Sequence, residues 1–256
     1  MFRFIVLILL SSGCSLLSLP TAAQTIRDSA TAPAPHNVEQ PAKLDAEGGS
    51  QGTAEARVSI ARLRVPRKAR QLYEKAIAAW EKQNSADAQG KVDQALKIDP
   101  AFPEALTLRG FMQATDQRWQ SAEGTLRASI RSDPNYYAAY VILAGVYNSQ
   151  GRYDEAQEAA QQAISAGIHN WTVQYEVARV LIGKGEYENA LAITDEALRS
   201  KHGSLLHVAK AHALLGLHRY PEAATELRNY LRYEPTGVGA PDAHAILDRM
   251  QTLALR

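Results

Sequence analysis

An alanine recurs along this chain at an almost constant interval, and that interval constrains the fold more than any other feature. The positions are Ala88, Ala122, Ala156, Ala190 and Ala223, separated by 34, 34, 34 and 33 residues. A fixed period of this size is the signature of a protein built from stacked copies of one supersecondary unit. The period therefore predicts five consecutive units of one design, each in contact mainly with its neighbours.

Residues 137–170 show what is repeated. Two amphipathic segments flank a turn at Gly151, and apolar residues three or four apart place one stripe on each segment. The first stripe carries mostly large side chains and the second carries small ones, namely Tyr140, Leu143, Ala144 and Tyr147 against Ala156, Ala160 and Ala163. The pattern predicts two helices that pack closely, because large residues on one helix face small residues on the other.

Further residues keep the same phase in the other units. An aromatic residue stands three positions before four of the recurring alanines, a small residue recurs in the first segment, and a proline recurs near the end of the unit. These are Trp119, Tyr153, Tyr187 and Tyr220, then Ala76, Gly110, Ala144, Ala178 and Ala211, then Pro100, Pro134 and Pro235. The set resembles the tetratricopeptide repeat, a helix-turn-helix unit of about 34 residues. The resemblance implies an all-α fold, a right-handed superhelical solenoid.

The phase places five units at residues 69–102, 103–136, 137–170, 171–203 and 204–236. The third and fourth units lack the closing proline, and the fourth is one residue short. Residues 237–256 begin with a break rich in glycine and proline, and they are expected to form a capping helix with Ala243, Ile246, Leu247 and Met250 on one face. An open array needs such a cap because its last apolar face would otherwise meet water.

The chain before the repeats has a different composition. Residues 1–23 combine a basic Arg3, an apolar run and small residues before Gln24, which is the pattern of a signal peptide. Residues 24–57 are rich in small and polar residues and are expected to be a disordered tether. Residues 58–68 are a short segment that leads into the first helix. The chain is therefore expected to be exported, either periplasmic or secreted.

Two alternatives would keep the chain on a membrane. Cys14 is the only cysteine, and Ser11-Ser12-Gly13-Cys14 resembles a bacterial lipoprotein signal, although Ser11 stands where that signal has an aliphatic residue. A signal segment that is not cleaved would also act as an anchor. Cleavage before Gln24 predicts instead a soluble mature protein without cysteine.

The charge balance and the sequence motifs argue against several classes of function. Removing residues 1–23 removes Arg3 from the 28 basic residues and leaves 27 basic against 27 acidic residues, so no basic surplus favours nucleic acid. No nucleophile elbow, phosphate-binding loop or dinucleotide fingerprint occurs, so no enzyme activity, catalytic residue or small-molecule cofactor is predicted. The alternative is an accessory subunit that presents a substrate to an envelope enzyme.

Histidines raise a third alternative, a metal-binding role for the end of the chain. Five of the seven histidines lie after residue 200, at His202, His207, His212, His218 and His244. A metal site on one helix favours two histidines four residues apart, and none of these has that spacing. No metal ligand is therefore predicted unless the fold brings imidazoles together.

The resemblance also implies a binding surface. In the tetratricopeptide family the first helices of the units line a concave groove, and the groove binds a protein or peptide segment. The residues expected to line it here, called the groove stripe below, are Tyr73, Ile77, Trp80, Thr107, Phe111, Val141, Asn148, Tyr175, Arg179, Ile182, Val208 and His212.

Individual members of the groove stripe have different expectations. Trp80 and Phe111 have the alternative of packing on a neighbouring helix. Tyr175 and Arg179 are four residues apart on one helical face, so they are predicted to grip a partner group together. Glu158 is expected on the outer face of the third unit, away from any partner.

Overall fold

The computed structural model describes residues 65–165, 171–200, 203–237 and 239–254. The predicted signal peptide, the tether and the Ser11–Cys14 signal lie outside the described residues. Within the described ranges all regular secondary structure is helical. The helices are α1 Arg67–Glu81, α2 Ser85–Ile98, α3 Pro103–Thr115, α4 Trp119–Ser132, α5 Tyr137–Ser149, α6 Tyr153–Ser165, α7 Trp171–Lys184, α8 Tyr187–Ser200, α9 Ser204–Gly216, α10 Tyr220–Tyr233 and α11 Ala240–Ala254.

The first ten helices form five pairs, and each pair falls inside one predicted unit except that α1 begins at Arg67, before the predicted start of the first unit. The turn within each pair contains one residue in the left-handed region, at Gln83, Gln117, Gly151, Gly185 and His218, with φ between 58° and 80°. These positions repeat with the same spacing as the alanines. Glycine adopts this conformation without strain, whereas the side chains in the first, second and fifth units adopt it at a cost. The turn geometry is therefore common to all units even where the turn residue is not glycine.

The recurring alanines lie where the two helices of a pair cross. All five have an exposed fraction of 0%, and the buried residues of α6 are all alanines, Ala156, Ala159, Ala160 and Ala163. Side chains this small let the two helix axes approach closely. The predicted burial of Ala156 and Ala190 is confirmed.

The helices form two layers. From α3 onward the first helices of neighbouring units contact one another, whereas in the described ranges the second helices of neighbouring units scarcely touch. Because these first helices contact one another and the second helices scarcely do, the array is curved, with α3, α5, α7 and α9 on its inner side. The inner helix α5 is buried from Ala138 to Asn148 except at Tyr140, as expected for a helix that is apolar on all sides.

Aromatic side chains fix one unit on the next. The ring of Tyr153, which begins α6, lies against Gly183 near the end of α7, and the ring of Tyr187, which begins α8, lies against Gly216 at the end of α9. A β-carbon at Gly183 would lie 2.2 Å from the ring of Tyr153. The glycines therefore make room for the aromatic residue of the preceding turn.

Ion pairs join each later unit to the second helix of the unit before it, in most cases from the later unit's first helix. They are Arg109–Asp93, Arg152–Glu123, Lys184–Asp154 and Lys210–Asp195, with Arg152 in the turn just before α6. Ion pairs at an accessible surface contribute little net stability. We therefore assign these four ion pairs mainly to the alignment of neighbouring units.

The last helix closes the array. Ala243 and Ile246 are buried in the apolar cluster of the last two units, with Leu247 and Met250 packed against it, and α11 contacts α10. The Tyr230 hydroxyl accepts a hydrogen bond from the backbone N–H of Gly239 at 3.0 Å, which ties α11 to α10. The predicted all-α solenoid with a C-terminal capping helix is confirmed. No described helix is both long enough and apolar enough to cross a bilayer.

Candidate functional site

The groove stripe lies on α1 and the inner helices, and most of it is covered. Ile77, Trp80 and His212 are half-buried. The other members have exposed fractions below 9%, and they are Tyr73, Thr107, Phe111, Val141, Asn148, Tyr175, Arg179, Ile182 and Val208. The role of the stripe in partner binding stays a prediction, and the three half-buried residues are the members that offer surface in this conformation.

Two aromatic pairs connect α1 with α3 and with Phe102, the residue just before α3. The rings of Trp80 and Phe111 are 5.4 Å apart in an edge-to-face arrangement, and those of Tyr73 and Phe102 are 5.3 Å apart. Such pairs contribute to packing beyond the area that they bury. Phe111 therefore packs on a neighbouring helix, which was the alternative to lining the groove. Trp80 also packs there but keeps part of its side chain exposed.

Other members of the groove stripe make hydrogen bonds or apolar contacts inside the array. The Thr107 hydroxyl is hydrogen-bonded to that of Ser129 at 2.8 Å, and Ser129 donates to the backbone carbonyl of Pro103. Val141 packs in a small apolar cluster with Ala163 and Val173. These contacts satisfy the buried hydroxyls and fill the space between helices.

Four polar side chains run along the inner helices α5, α7 and α9, and we call them the polar row: Asn148, Glu176, Arg179 and His212. The amide Nδ2 of Asn148 donates to Glu176 Oε2 at 3.0 Å and to the Glu176 backbone carbonyl at 3.3 Å. Arg179 Nη1 donates to the same Oε2 at 2.8 Å. The carboxylate of Glu176 thus lies between a neutral donor from the third unit and a charged donor on its own helix.

Burial controls the charges of the polar row. It raises the pKa of the Glu176 carboxyl above its usual value, and Arg179 and Asn148 act in the opposite direction. Burial and then the positive charge of Arg179 lower the pKa of His212 to about 4, so His212 is neutral at physiological pH. The acceptor Asn148 Oδ1 is buried and has no hydrogen-bond partner among the described residues.

The structure changes the expectation for Arg179. Its guanidinium carbon lies 5.8 Å from the centre of the Tyr175 ring, so the two side chains share a face as predicted. Arg179 is nevertheless engaged with Glu176 inside the array. Removing one partner of a buried ion pair leaves an uncompensated charge, so an Arg179 variant would perturb stability as well as any binding.

Two of the C-terminal histidines contact side chains of other kinds. His207 Nδ1 lies 2.7 Å from Glu226, and His218 Nδ1 lies 2.8 Å from the Tyr220 hydroxyl. His202 lies outside the described residues. In the part of the chain that the structure describes, no group of three histidine, cysteine, aspartate or glutamate side chains is placed to hold a metal ion.

Glu176 is the site residue that sequence reasoning missed. A signal for it exists inside the array, because the equivalent positions in the second, third and fifth units hold Leu108, Ile142 and Ala209, whereas the first unit has an exposed Glu74 there. A carboxylate where other units have apolar residues indicates a buried polar contact. The identity of its partner depends on how α5 and α7 cross, which the residue pattern does not specify.

Two family models described as tetratricopeptide repeat match this chain. One matches residues 147–215, and the other matches residues 73–137 and 115–170. Together they span more than half of the 256 residues. The comparison with curated proteins found no match.

Solved structures of repeat proteins are similar in fold. A thermophilic TPR protein of Thermus thermophilus is 18% identical, over 73% of this chain and 100% of its own, with a TM-score of 0.62. The APC/C hetero-tetramer Cut9–Hcn1 is 17% identical, over 75% of this chain and 38% of its own, with a TM-score of 0.67. PilF of Pseudomonas aeruginosa is 17% identical, over 71% of this chain and 86% of its own, with a TM-score of 0.57. At these identities the likeness concerns the fold alone.

Proposed function

Because this chain belongs to the tetratricopeptide repeat family, we propose that it is a non-enzymatic scaffold that holds a segment of a partner protein along its first helices. The observation that carries the proposal is the two-layer arrangement, in which the first helices from α3 onward lie side by side on the inner side of the array. A surface that spans several units can hold a segment at several points, so no single deep pocket is needed.

Three residues are the proposed first contacts. Ile77 and Trp80 lie on the first unit, and His212 lies on the fifth. All three belong to the groove stripe and keep part of their side chains accessible. Binding energy at protein interfaces concentrates in a few large side chains, tryptophan above all. Trp80 is therefore the proposed anchor.

The charge of the chain bears on how the partner is recognised. The balance of 27 basic and 27 acidic residues beyond residue 23 leaves no net charge to steer a strongly charged partner. Recognition is accordingly assigned to apolar and aromatic contacts supplemented by hydrogen bonds. A partner segment with alternating apolar and polar residues fits this surface better than a charged tail.

Titration calorimetry with a partner obtained by affinity capture tests the proposal. Trp80→Ala should weaken binding by about 2 kcal/mol, a factor of about 30 in the dissociation constant. The control is Glu158→Ala, since Glu158 is exposed on the outer helix α6. Melting temperatures of both variants separate lost binding from lost folding. Equal losses of affinity for the two variants would mean that the partner binds elsewhere.

We also propose that the chain works outside the cytoplasm, after cleavage before Gln24. The support is the basic, apolar and small-residue order of residues 1–23. Sequencing the N-terminus of the exported protein tests this. A product that begins at Cys14 and requires detergent would show that the lipoprotein alternative is correct. Capture of an envelope enzyme as the partner would favour the accessory-subunit alternative.

A further inference from the structure

The apolar core of the array is divided near its middle. Among the described residues, one cluster of buried side chains extends from Val65 to Ala160, through the first three units, and also includes Val180 of α7 in the fourth. A second cluster extends from Tyr175 to Ile246, through the last two units and α11. The two clusters meet where α5 packs on α7, and we call this boundary the seam.

The seam differs in chemistry from the equivalent boundaries. At the boundary between the first two units the corresponding positions hold Trp80 and Leu108, between the next two they hold Ala114 and Ile142, and at the last they hold Ile182 and Ala209. At the seam they hold Asn148 and Glu176, which are joined by the hydrogen bond of 3.0 Å. Three boundaries are thus apolar at this place and one is polar.

A polar contact holds two units together less strongly than an apolar one of the same size. Closing the seam removes the charges of Glu176 and Arg179 on α7 from water, and this desolvation offsets part of what the hydrogen bond from Asn148 contributes. The unpaired Oδ1 of Asn148 adds the cost of an unmade hydrogen bond. Of the residues that the structure describes, the apolar cluster at the seam buries Val141, Ala163 and Val173, with partly buried side chains around them.

We propose that the array consists of two cooperative blocks that separate at the seam before either block unfolds. The first block is the first three units, and the second is the last two units with α11. Opening the seam separates α5 from α7 and uncovers Asn148 and Glu176. This conformational change does not depend on any partner, and it supplies a route by which a segment reaches residues that are buried in the closed array.

Tryptophan fluorescence separates the blocks. Trp80 and Trp119 pack on the first cluster and Trp171 packs on the second, and the chain has three tryptophans. Trp171→Phe therefore leaves reporters in the first block, and the pair Trp80→Phe with Trp119→Phe leaves one in the second. In urea the two reporters should show midpoints about 0.5 M or more apart. Coincident transitions would overturn the proposal.

A variant with an apolar seam provides a second test of the proposal. Asn148→Ala, Glu176→Ile and Arg179→Met together remove the polar contacts, and the two midpoints should then merge. Glu158→Ile removes a charge from the outer face and should leave the separation unchanged. Midpoints that stay apart in the apolar variant would show that the seam does not cause the division.

Hydrogen exchange of the unmodified chain keeps the proposal testable if the apolar variant does not fold. Two blocks predict a step in protection between α6 and α7, with similar protection within each block. An array that frays only from its ends predicts protection that rises smoothly toward the middle. The smooth profile would overturn the proposal.

Discussion

Replacing Gly183 by alanine tests how the units are fixed to one another. The added β-carbon would lie 2.2 Å from Cε1 and 2.4 Å from Cζ of Tyr153, whereas carbon atoms rest about 3.5–4 Å apart. The ring must therefore move by more than about 1 Å out of its contact with α7. Overpacking of this kind costs about 1–3 kcal/mol.

Helix propensity opposes part of this cost. Alanine is favoured over glycine inside a helix by up to about 1 kcal/mol, and the gain is smaller at Gly183 because it is next to the last residue of α7. The net expectation is a destabilisation of about 1–2 kcal/mol, seen as a melting temperature lower by about 2–8 °C. Thermal unfolding followed by circular dichroism measures it.

Two comparisons isolate the cause. Gly124 lies within α4 and has no atom within 4 Å of the position of an added β-carbon, so Gly124→Ala should stabilise by about 0.5–1 kcal/mol. In a Tyr153→Ala background the obstacle is gone, and Gly183→Ala should become neutral or stabilising. An equal loss of stability in both backgrounds would refute the contact between ring and glycine as the reason.

Three further changes probe the turns, the crossings and the polar row. Gln117→Gly should stabilise by about 0.5–1 kcal/mol in urea unfolding, because Gln117 has a φ of 58° that only glycine adopts without strain; a loss of stability would contradict this. Ala156→Leu should destabilise the fold by about 1–3 kcal/mol through overpacking where α5 and α6 cross. An unchanged melting temperature would contradict the placement of Ala156 at a tightly packed crossing. His212 has a folded pKa of about 4 against its usual 6.5, so the unfolded chain binds its proton first as pH falls. Stability should therefore drop between about pH 6.5 and 4, and His212→Leu but not His244→Gln should reduce that part of the drop.

The sequence predicted the parts of the fold that depend on local pattern. The spacing of the alanines determines which helices pair, because a small residue at each crossing is a requirement of the pair itself. Gly151 identified the turn of the third unit, and the same backbone recurs at Gln83 and His218. There the conformation follows from the helices on either side, so the residue type alone does not reveal it.

The candidate site was less predictable because its burial depends on curvature. Tyr175 and Arg179 occupy the expected phase of α7, yet their exposed fractions are 1% and 6%. Their exposure is a property of neighbouring units in three dimensions, and helical phase describes one helix at a time. The pairing of Arg179 with Glu176 likewise follows from side-chain reach within the packed array.

Site-specific photocrosslinking in living cells tests most directly whether the first helices hold a partner. A photoreactive benzoylphenylalanine replaces Ile77, Trp80 or His212 in turn, and the outer-face controls carry it in place of Glu158 or Gln161, both of which are exposed. The scaffold account predicts one discrete crosslinked protein from the inner positions and none from the controls. Crosslinks from the outer positions alone, or equally from both faces, would contradict it.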